Sequence, residues 1–320
     1  MTDASTDPKL AERGVPAQTN AAAESNAARR FGLVMTLPAQ LLFLFIVIFP
    51  LGMLIYLSVS DWTPYTGRQW VHAWQYWNDF GNFREIPYDD RLWGSIGKTA
   101  IIIAVAVPIE LIFGFGLAYL FLDRLPLRPI VYATLLIPMM VVPSVAGYMF
   151  FLLLQGEGPI NQFISAIAGT DIRINWLGDP TMALVSVIIA DIWQWSSFMF
   201  LILYAGMLSV PEDQMRAAAL LGASKAQRFF RIILPRMKVV VAIALIIRTV
   251  ELFGHKNFDI PYIMTAGGPG IATETISIYM YKKTFLDLER AYVSAVGLFI
   301  VVALSIPILI GLRQARKAGK

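Results

Sequence analysis

Long uncharged runs separated by short charged segments set the pattern of this chain. Residues 33–60 carry no charge and are bounded by Arg29-Arg30 and Asp61. A helix rises 1.5 Å per residue, so about 20 mostly apolar residues cross the hydrocarbon core of a bilayer. Residues 99–122, 130–155, 181–204 and 291–312 meet the same criterion. Glu110 lies in the second run, two residues after Pro108, and Asp191 lies in the fourth. One further run is interrupted: 239–247 is wholly apolar, then Arg248 and Glu251 fall inside a stretch that continues to about residue 260. The pattern predicts an all-α, polytopic membrane protein with six transmembrane helices. Residues 1–30, rich in Ala, Thr, Glu and Asn, read as a flexible cytoplasmic tail. They lack the basic–apolar–small-residue order of a cleaved leader. Residues 31–320 then form one six-span domain, with a cytoplasmic loop at 205–238.

Composition excludes a soluble alternative. Apolar residues make up 57% of the chain and charged ones only 15%, with mean hydropathy +0.61, where soluble domains carry about 25% charge. With no cysteine and two histidines, His72 and His255, disulfides, thiol catalysis and a structural zinc site are not expected. Charge sidedness supports the six spans. With the amino terminus inside, the inner segments hold 16 Lys/Arg against 7 Asp/Glu, and the outer ones 9 against 12. Omitting the interrupted span would put the basic carboxyl terminus outside, against the positive-inside bias. Both termini are therefore expected in the cytoplasm.

The outer segment 61–98 contains Trp62, Tyr65, Trp70, Trp74, Tyr76, Trp77, Tyr88 and Trp93. Such residues suit an interfacial belt, a docking surface for an external partner, or solute contact. In the loop between the fourth and fifth runs, Ser209 and Glu212 have capping-box spacing, and Pro211 suits a first helical turn. A helix through 215–221 would expose three alanines. Gly222 then allows a turn or a close approach, and a second helix over 224–233 would be stopped by Pro235. This helix-turn-helix is either a basic amphipathic element resting on anionic lipid or a protein-docking element.

At these residues the chain resembles the inner-membrane permease subunits of binding-protein-dependent ABC importers, in the sugar and polyol (maltose-type) branch. Their loop signature is Glu-Ala-Ala, two variable residues, Asp-Gly-Ala, and later Ile-x-Leu-Pro. Arg216-Ala217-Ala218 and Leu221-Gly222-Ala223 align with the triplets, and Ile232-Ile233-Leu234-Pro235 with the terminal motif. Val210-Pro211, Phe258-Asp259 and Thr265-Ala266-Gly267-Gly268-Pro269 match further family positions. Arg216 and Leu221 stand where the family usually has acidic residues. The resemblance, over about 31–312, implies the type I ABC importer permease fold in the cell inner membrane. It also implies a second permease subunit, two cytoplasmic ATPases, an extracytoplasmic solute-binding protein, and a sugar or polyol as solute. ATPase docking would involve Arg216, Ala217, Ala218, Leu221, Gly222, Ala223 and Pro235.

No phosphate-cradling Gly-x-x-x-x-Gly-Lys-Ser/Thr loop occurs, so ATP and Mg²⁺ are expected on the ATPase and no cofactor on this chain. No nucleophile–base pattern suggests an enzyme, and nothing suggests nucleic acid. Charges inside spans avoid lipid and mark pathways or bundle contacts. Arg248 and Glu251 can form a bundle-stabilising pair or serve gating. Asp191, Trp193, Gln194, Glu251, His255, Asn257 and Phe258 are the candidate substrate pathway, with one of Trp193 and Trp195 expected in the cavity. An ion-coupled secondary transporter using Asp191 or Glu251, and a non-transporting membrane scaffold, are the alternatives.

Overall fold

The computed structural model describes residues 17–122 and 126–318, which are helix, turn and loop apart from one isolated antiparallel bridge between Ser60 and Trp77. Residues 1–16 of the expected tail lie outside that range, and from Ala17 the backbone is helical. The chain divides into two units, 1–56 and 57–320. The first holds nearly all of α1 (Ala17–Ser58), in which Arg30–Ser58 is long and apolar enough to cross a bilayer. Its large side chains, Phe43, Phe45, Ile46 and Phe49 among them, are exposed. That suits acyl chains, which are as apolar as the side chains themselves.

In the second unit the outer aromatics divide into packed and exposed sets. Trp62 is buried and its indole N–H donates to the Arg68 carbonyl at 2.9 Å. Tyr65, Trp74 and Tyr88 are exposed. The short α2 (Gly81–Glu85) buries Asn82, whose amide donates to the carbonyls of Ser58 and Ser60. Asp89 then caps α3 (Asp90–Leu120), accepting the Leu92 N–H at 2.8 Å.

The third predicted run is not one straight helix. It is split into α4 (Arg128–Met140) and α5 (Pro143–Leu153), which are bent by 94°. Pro143 has no N–H for a preceding carbonyl and holds Val142 in the extended region, at φ −60°, ψ 133°. The Val141 carbonyl freed by the break accepts a 2.8 Å hydrogen bond from Gln194 Nε2. Such replacement is required wherever backbone opens inside a membrane bundle. After α6 (Pro159–Ala168), α7 (Pro180–Leu208) starts at Asp179, which accepts the N–H groups of Thr181 and Met182. Helices α3 and α7 form the centre of the core. A Cβ at Gly114 would lie 2.9 Å from the Met199 backbone carbon, so only glycine permits their approach.

The following loop forms α8 (Glu212–Leu220) and α9 (Lys225–Arg228). The expected cap at Ser209 is not made: Ser209 Oγ donates back to the Gly206 carbonyl at 2.6 Å, and α8 begins after Pro211 without a side-chain cap. The capping box is instead Ser224 with Gln227, which carries the same spacing. Pro235 does not stop the second helix. A π-helical segment, Phe229–Ile233, runs directly into α10 (Leu234–Phe253), with Pro235 in its first turn, so the chain stays helical through the proline. Helix α10 ends at the extended Gly254, short of the expected residue 260. The chain restarts as α11 (Asp259–Thr265), α12 (Ile276–Phe285) and α13 (Arg290–Ala318).

Among the described residues, four helices are long and apolar enough to cross a membrane, or five if the bent α4–α5 pair is one crossing. The fold is thus all-α and multi-pass; α10 is 20 residues long but carries charge within its apolar run. An ionic cluster ties α3 to the last helices. Arg91 donates to both oxygens of buried Glu274 at 2.8 and 2.9 Å, and Lys282 adds a 2.9 Å contact. Burial alone would raise the Glu274 pKa, but these cations hold it below the usual carboxylate value.

Candidate functional site

Arg248 of α10 is fully buried between α3 and α7. Its Nε and Nη2 each donate at 2.8 Å to Glu110, a two-pronged pairing that fits the planar guanidinium. Nη2 also reaches Asp191 Oδ2 at 2.8 Å. Three helices are thereby joined through one cation. The Arg248 guanidinium lies 4.9 Å from the Trp195 ring centroid, and Lys256 Nζ lies 4.2 Å from the same centroid. Lys256 also pairs with Glu251 at 3.0 Å. Cations over an aromatic face are held by its quadrupole.

The cluster is not saturated. Arg248 Nη1 and Glu251 Oε2 stand 3.7 Å apart, and neither has a hydrogen-bond partner. The Trp195 indole N–H is also unpartnered. Buried polar atoms are nearly always paired; here Arg248 and Glu251 face one another as an ion pair without a direct hydrogen bond. Glu251 is the half-open member, 21% exposed at its side chain.

The predicted pathway residues fall in different places. Asp191 and Glu251 meet in the cluster. Gln194 faces the α4–α5 break. Trp193 packs edge-on against Phe150, 5.5 Å between centroids, and lines an apolar groove with Phe113 and Pro138. Asn257 is buried, its carbonyl accepting from Thr275 Oγ1, while Phe258 stacks on Tyr262 at 4.8 Å. Of His255 only the backbone, in a 3₁₀ turn, is described. Helical geometry explains the division of the tryptophans: Trp195 follows Asp191 by four residues and shares its face, whereas Trp193 follows by two and does not. The same spacing was a usable signal for Trp195. Lys256 has none, since its approach to Trp195 depends on the turn that follows α10.

At the loop, α8 carries exposed Arg216, Ala217 and half-buried Ala218. Arg216 pairs with Glu212, one turn earlier. Gly222 has φ +80°, and the Ala223 and Gly222 N–H groups donate to the carbonyls of Ala218 and Ala219. This is the Schellman arrangement, in which a left-handed residue closes a helix. Leu220 and Leu221 are 89% and 88% exposed, and Pro235 is exposed at the start of α10. Among the described residues no group of three or more metal-ligating side chains could hold an ion.

A multi-pass helical bundle with an ionic centre and an outlying two-helix loop is the architecture of an integral membrane protein. Residues 110–317 match the binding-protein-dependent transport system inner membrane component family, and the chain belongs to it. The chain is 32% identical over 282 residues to the sulfoquinovosyl glycerol transport system permease protein SmoG of Agrobacterium fabrum, covering 87% of each chain. It is also 32% identical to the trehalose/maltose transport system permease protein MalF of Thermococcus litoralis, covering 79% of this chain and 83% of that one. Its fold resembles a chain in the crystal structure of a bacterial ABC transporter involved in import of the acidic polysaccharide alginate. The TM-score is 0.77 at 19% identity, covering 92% of this chain and 99% of that one. The protein is therefore an inner-membrane permease subunit of an ABC importer, a transport component whose ATPase activity resides on a separate subunit.

Proposed function

We propose that this subunit, with a second permease subunit, forms the path by which an ATP-driven importer moves a sugar or polyol, such as a monosaccharide or sugar alcohol. The observation that carries this reading is the family match over residues 110–317; inside the bundle, Arg248 Nη1 and Glu251 Oε2 stand 3.7 Å apart, both atoms closed to solvent in this structure. That gap is too long for a direct hydrogen bond. A solute hydroxyl would reach the two groups once the bundle opens, accepting from the guanidinium and donating to the carboxylate. Relatives named for trehalose, maltose and sulfoquinovosyl glycerol transport support a carbohydrate. An external solute-binding protein delivers the solute, and two ATPases act at the loop through Arg216, Ala217, Ala218, Leu221, Gly222, Ala223 and Pro235. Asp191, Trp193, Gln194, His255, Asn257 and Phe258 complete the candidate pathway, with Asp191 acting through Arg248.

Vesicles containing the complete importer are expected to take up solute only when ATP is on the ATPase side. Uptake by this chain alone, driven by a proton or sodium gradient, would replace the proposal with secondary transport through Asp191 or Glu251.

The proposal includes six crossings, with α10 counted as the fifth and both termini in the cytoplasm. The basic excess of the inner segments supports this orientation. Because the chain has no cysteine, single cysteines report sidedness directly. In intact cells an impermeant thiol reagent is expected to label Thr170→Cys and spare Ala226→Cys, both at exposed positions. Labelling in the opposite pattern would reverse the orientation.

A further inference from the structure

Where α8 and α9 meet the ends of the long helices, a cleft of about 470 Å³ opens, with walls from α3, α4, α7, α8 and α9. Its lining holds four basic residues, Arg128, Arg216, Lys225 and Arg228, and one acidic residue, Glu212, among the described residues. Glu212 is taken by Arg216. Arg128 donates to the Tyr204 hydroxyl, a neutral partner. Arg228 Nε is buried with no hydrogen-bond partner, and a charged donor left in that state is costly. Met207, Leu208 and Val210 form an apolar wall beside these cations.

We propose that this cleft binds a phosphate-bearing anion, held by Arg128 and Arg228, which ties the docking helices to the bundle. Arginine presents a fixed fork of donors that matches phosphate oxygens two at a time. The two residues come from α4 and α9, so one anion between them joins a spanning segment to the loop without direct protein contact. An anionic lipid headgroup and a soluble phosphate ester share this chemistry. The apolar wall beside the cations suits the first acyl carbons of a lipid.

The test uses the full-length permease, purified and delipidated in a neutral detergent. Native mass spectrometry with phosphatidylglycerol or phosphatidylcholine reads lipid retention, and thermal shift with glycerol 3-phosphate reads the soluble ester. Wild type is expected to bind phosphatidylglycerol, glycerol 3-phosphate or both, and phosphatidylcholine poorly. The Arg128→Gln/Arg228→Gln variant is expected to bind about tenfold more weakly, as loss of charged hydrogen bonds implies. Arg128→Lys/Arg228→Lys should keep part of the affinity. Retention of phosphatidylglycerol without a glycerol 3-phosphate response assigns a lipid; a response to the ester assigns a soluble ligand. Should the double variant fold poorly, Arg228→Gln alone removes the unpartnered donor and carries the same expectation. Equal binding by wild type and variant, or no binding of either anion, overturns the proposal. Loss of ATPase co-purification in the variant, with no phosphate binding by wild type, also overturns it and assigns the cleft to an acidic side chain of the ATPase.

Discussion

Arg248→Ala is expected to leave little folded permease. The substitution strips Glu110 of both its hydrogen bonds from the guanidinium and Asp191 of one, leaving buried carboxylates without their cation. Removing one partner of a buried ion pair costs about 3–5 kcal/mol, against a total folding stability of about 5–15 kcal/mol. The cause is charge imbalance, not lost attraction, and a second variant separates the two. In Glu110→Gln/Asp191→Asn/Arg248→Met all three charges are gone, and replacement of a whole buried ionic group by neutral side chains is often close to neutral. The triple variant is therefore expected to recover most of the yield and melting temperature lost by Arg248→Ala. Arg248→Lys should fall between, because a point charge cannot reproduce the fork. Yield of monodisperse protein by size-exclusion chromatography and thermal melting in detergent measure all three. If Arg248→Ala matches wild type, the cluster does not hold α3, α7 and α10 together. If the triple variant is as poor as Arg248→Ala, the attraction within the cluster, and not the charge imbalance, is what the site supplies.

The members of this cluster were visible in the sequence, but their partnership was not. Charges at 110, 191, 248 and 251 stand out against apolar surroundings, and burial in lipid makes such residues seek one another. Local spacing singles out Arg248 and Glu251, three apart on one helix. Those two sit 3.7 Å apart, while the close contacts of Arg248 reach Glu110 and Asp191, separated from it by 138 and 57 residues. Pairings of that range depend on helix rotation and packing, for which spacing within one helix carries no information. The helix break at Val141 was only half visible for the same reason. Pro143 supplies the local signal, but the partner that makes the open backbone tolerable is Gln194, on another helix.

Caps illustrate a different limit. Ser209-x-x-Glu212 and Ser224-x-x-Gln227 carry equivalent signals, and only the second forms a capping box. The end of α7 decides the outcome. Ser209 still belongs to that end, with both its N–H and its hydroxyl bonded to the Gly206 carbonyl. Competition between a helix that is ending and one that is starting is a tertiary matter, because it depends on how far α7 continues. Pro235 fails as a stop for a related reason. The π-helical turn before it changes which carbonyl would need its missing N–H, so a breaker becomes an acceptable first-turn residue.

Gly222→Leu is expected to reduce coupled transport about 5- to 30-fold while leaving membrane insertion intact. Two explanations for a glycine at this turn, a special backbone conformation or a close neighbour, now separate within the permease itself. A Cβ at Gly222 would meet no atom within 4 Å, yet its φ is +80°. The constraint inside this chain is therefore backbone conformation. For most side chains the left-handed region costs about 1–2 kcal/mol, and a change of that size alters an equilibrium by the fold-range given. The penalty falls on the hydrogen bonds of Ala223 and Gly222 that close α8, so α8 and α9 would lose the fixed angle at which they present Leu220 and Leu221. Asparagine tolerates the left-handed region far better than leucine, which makes Gly222→Asn the informative partner. Membrane abundance, co-purification of the ATPase and solute-stimulated ATP hydrolysis should be measured together in the assembled importer. Near-normal coupling for Gly222→Asn with failure of Gly222→Leu would identify the turn conformation as what the ATPase requires. Failure of both at normal abundance would mean that the ATPase approaches the backbone too closely for any side chain. Full coupling in both would remove this turn from the docking surface, leaving the loop as a basic element lying on lipid.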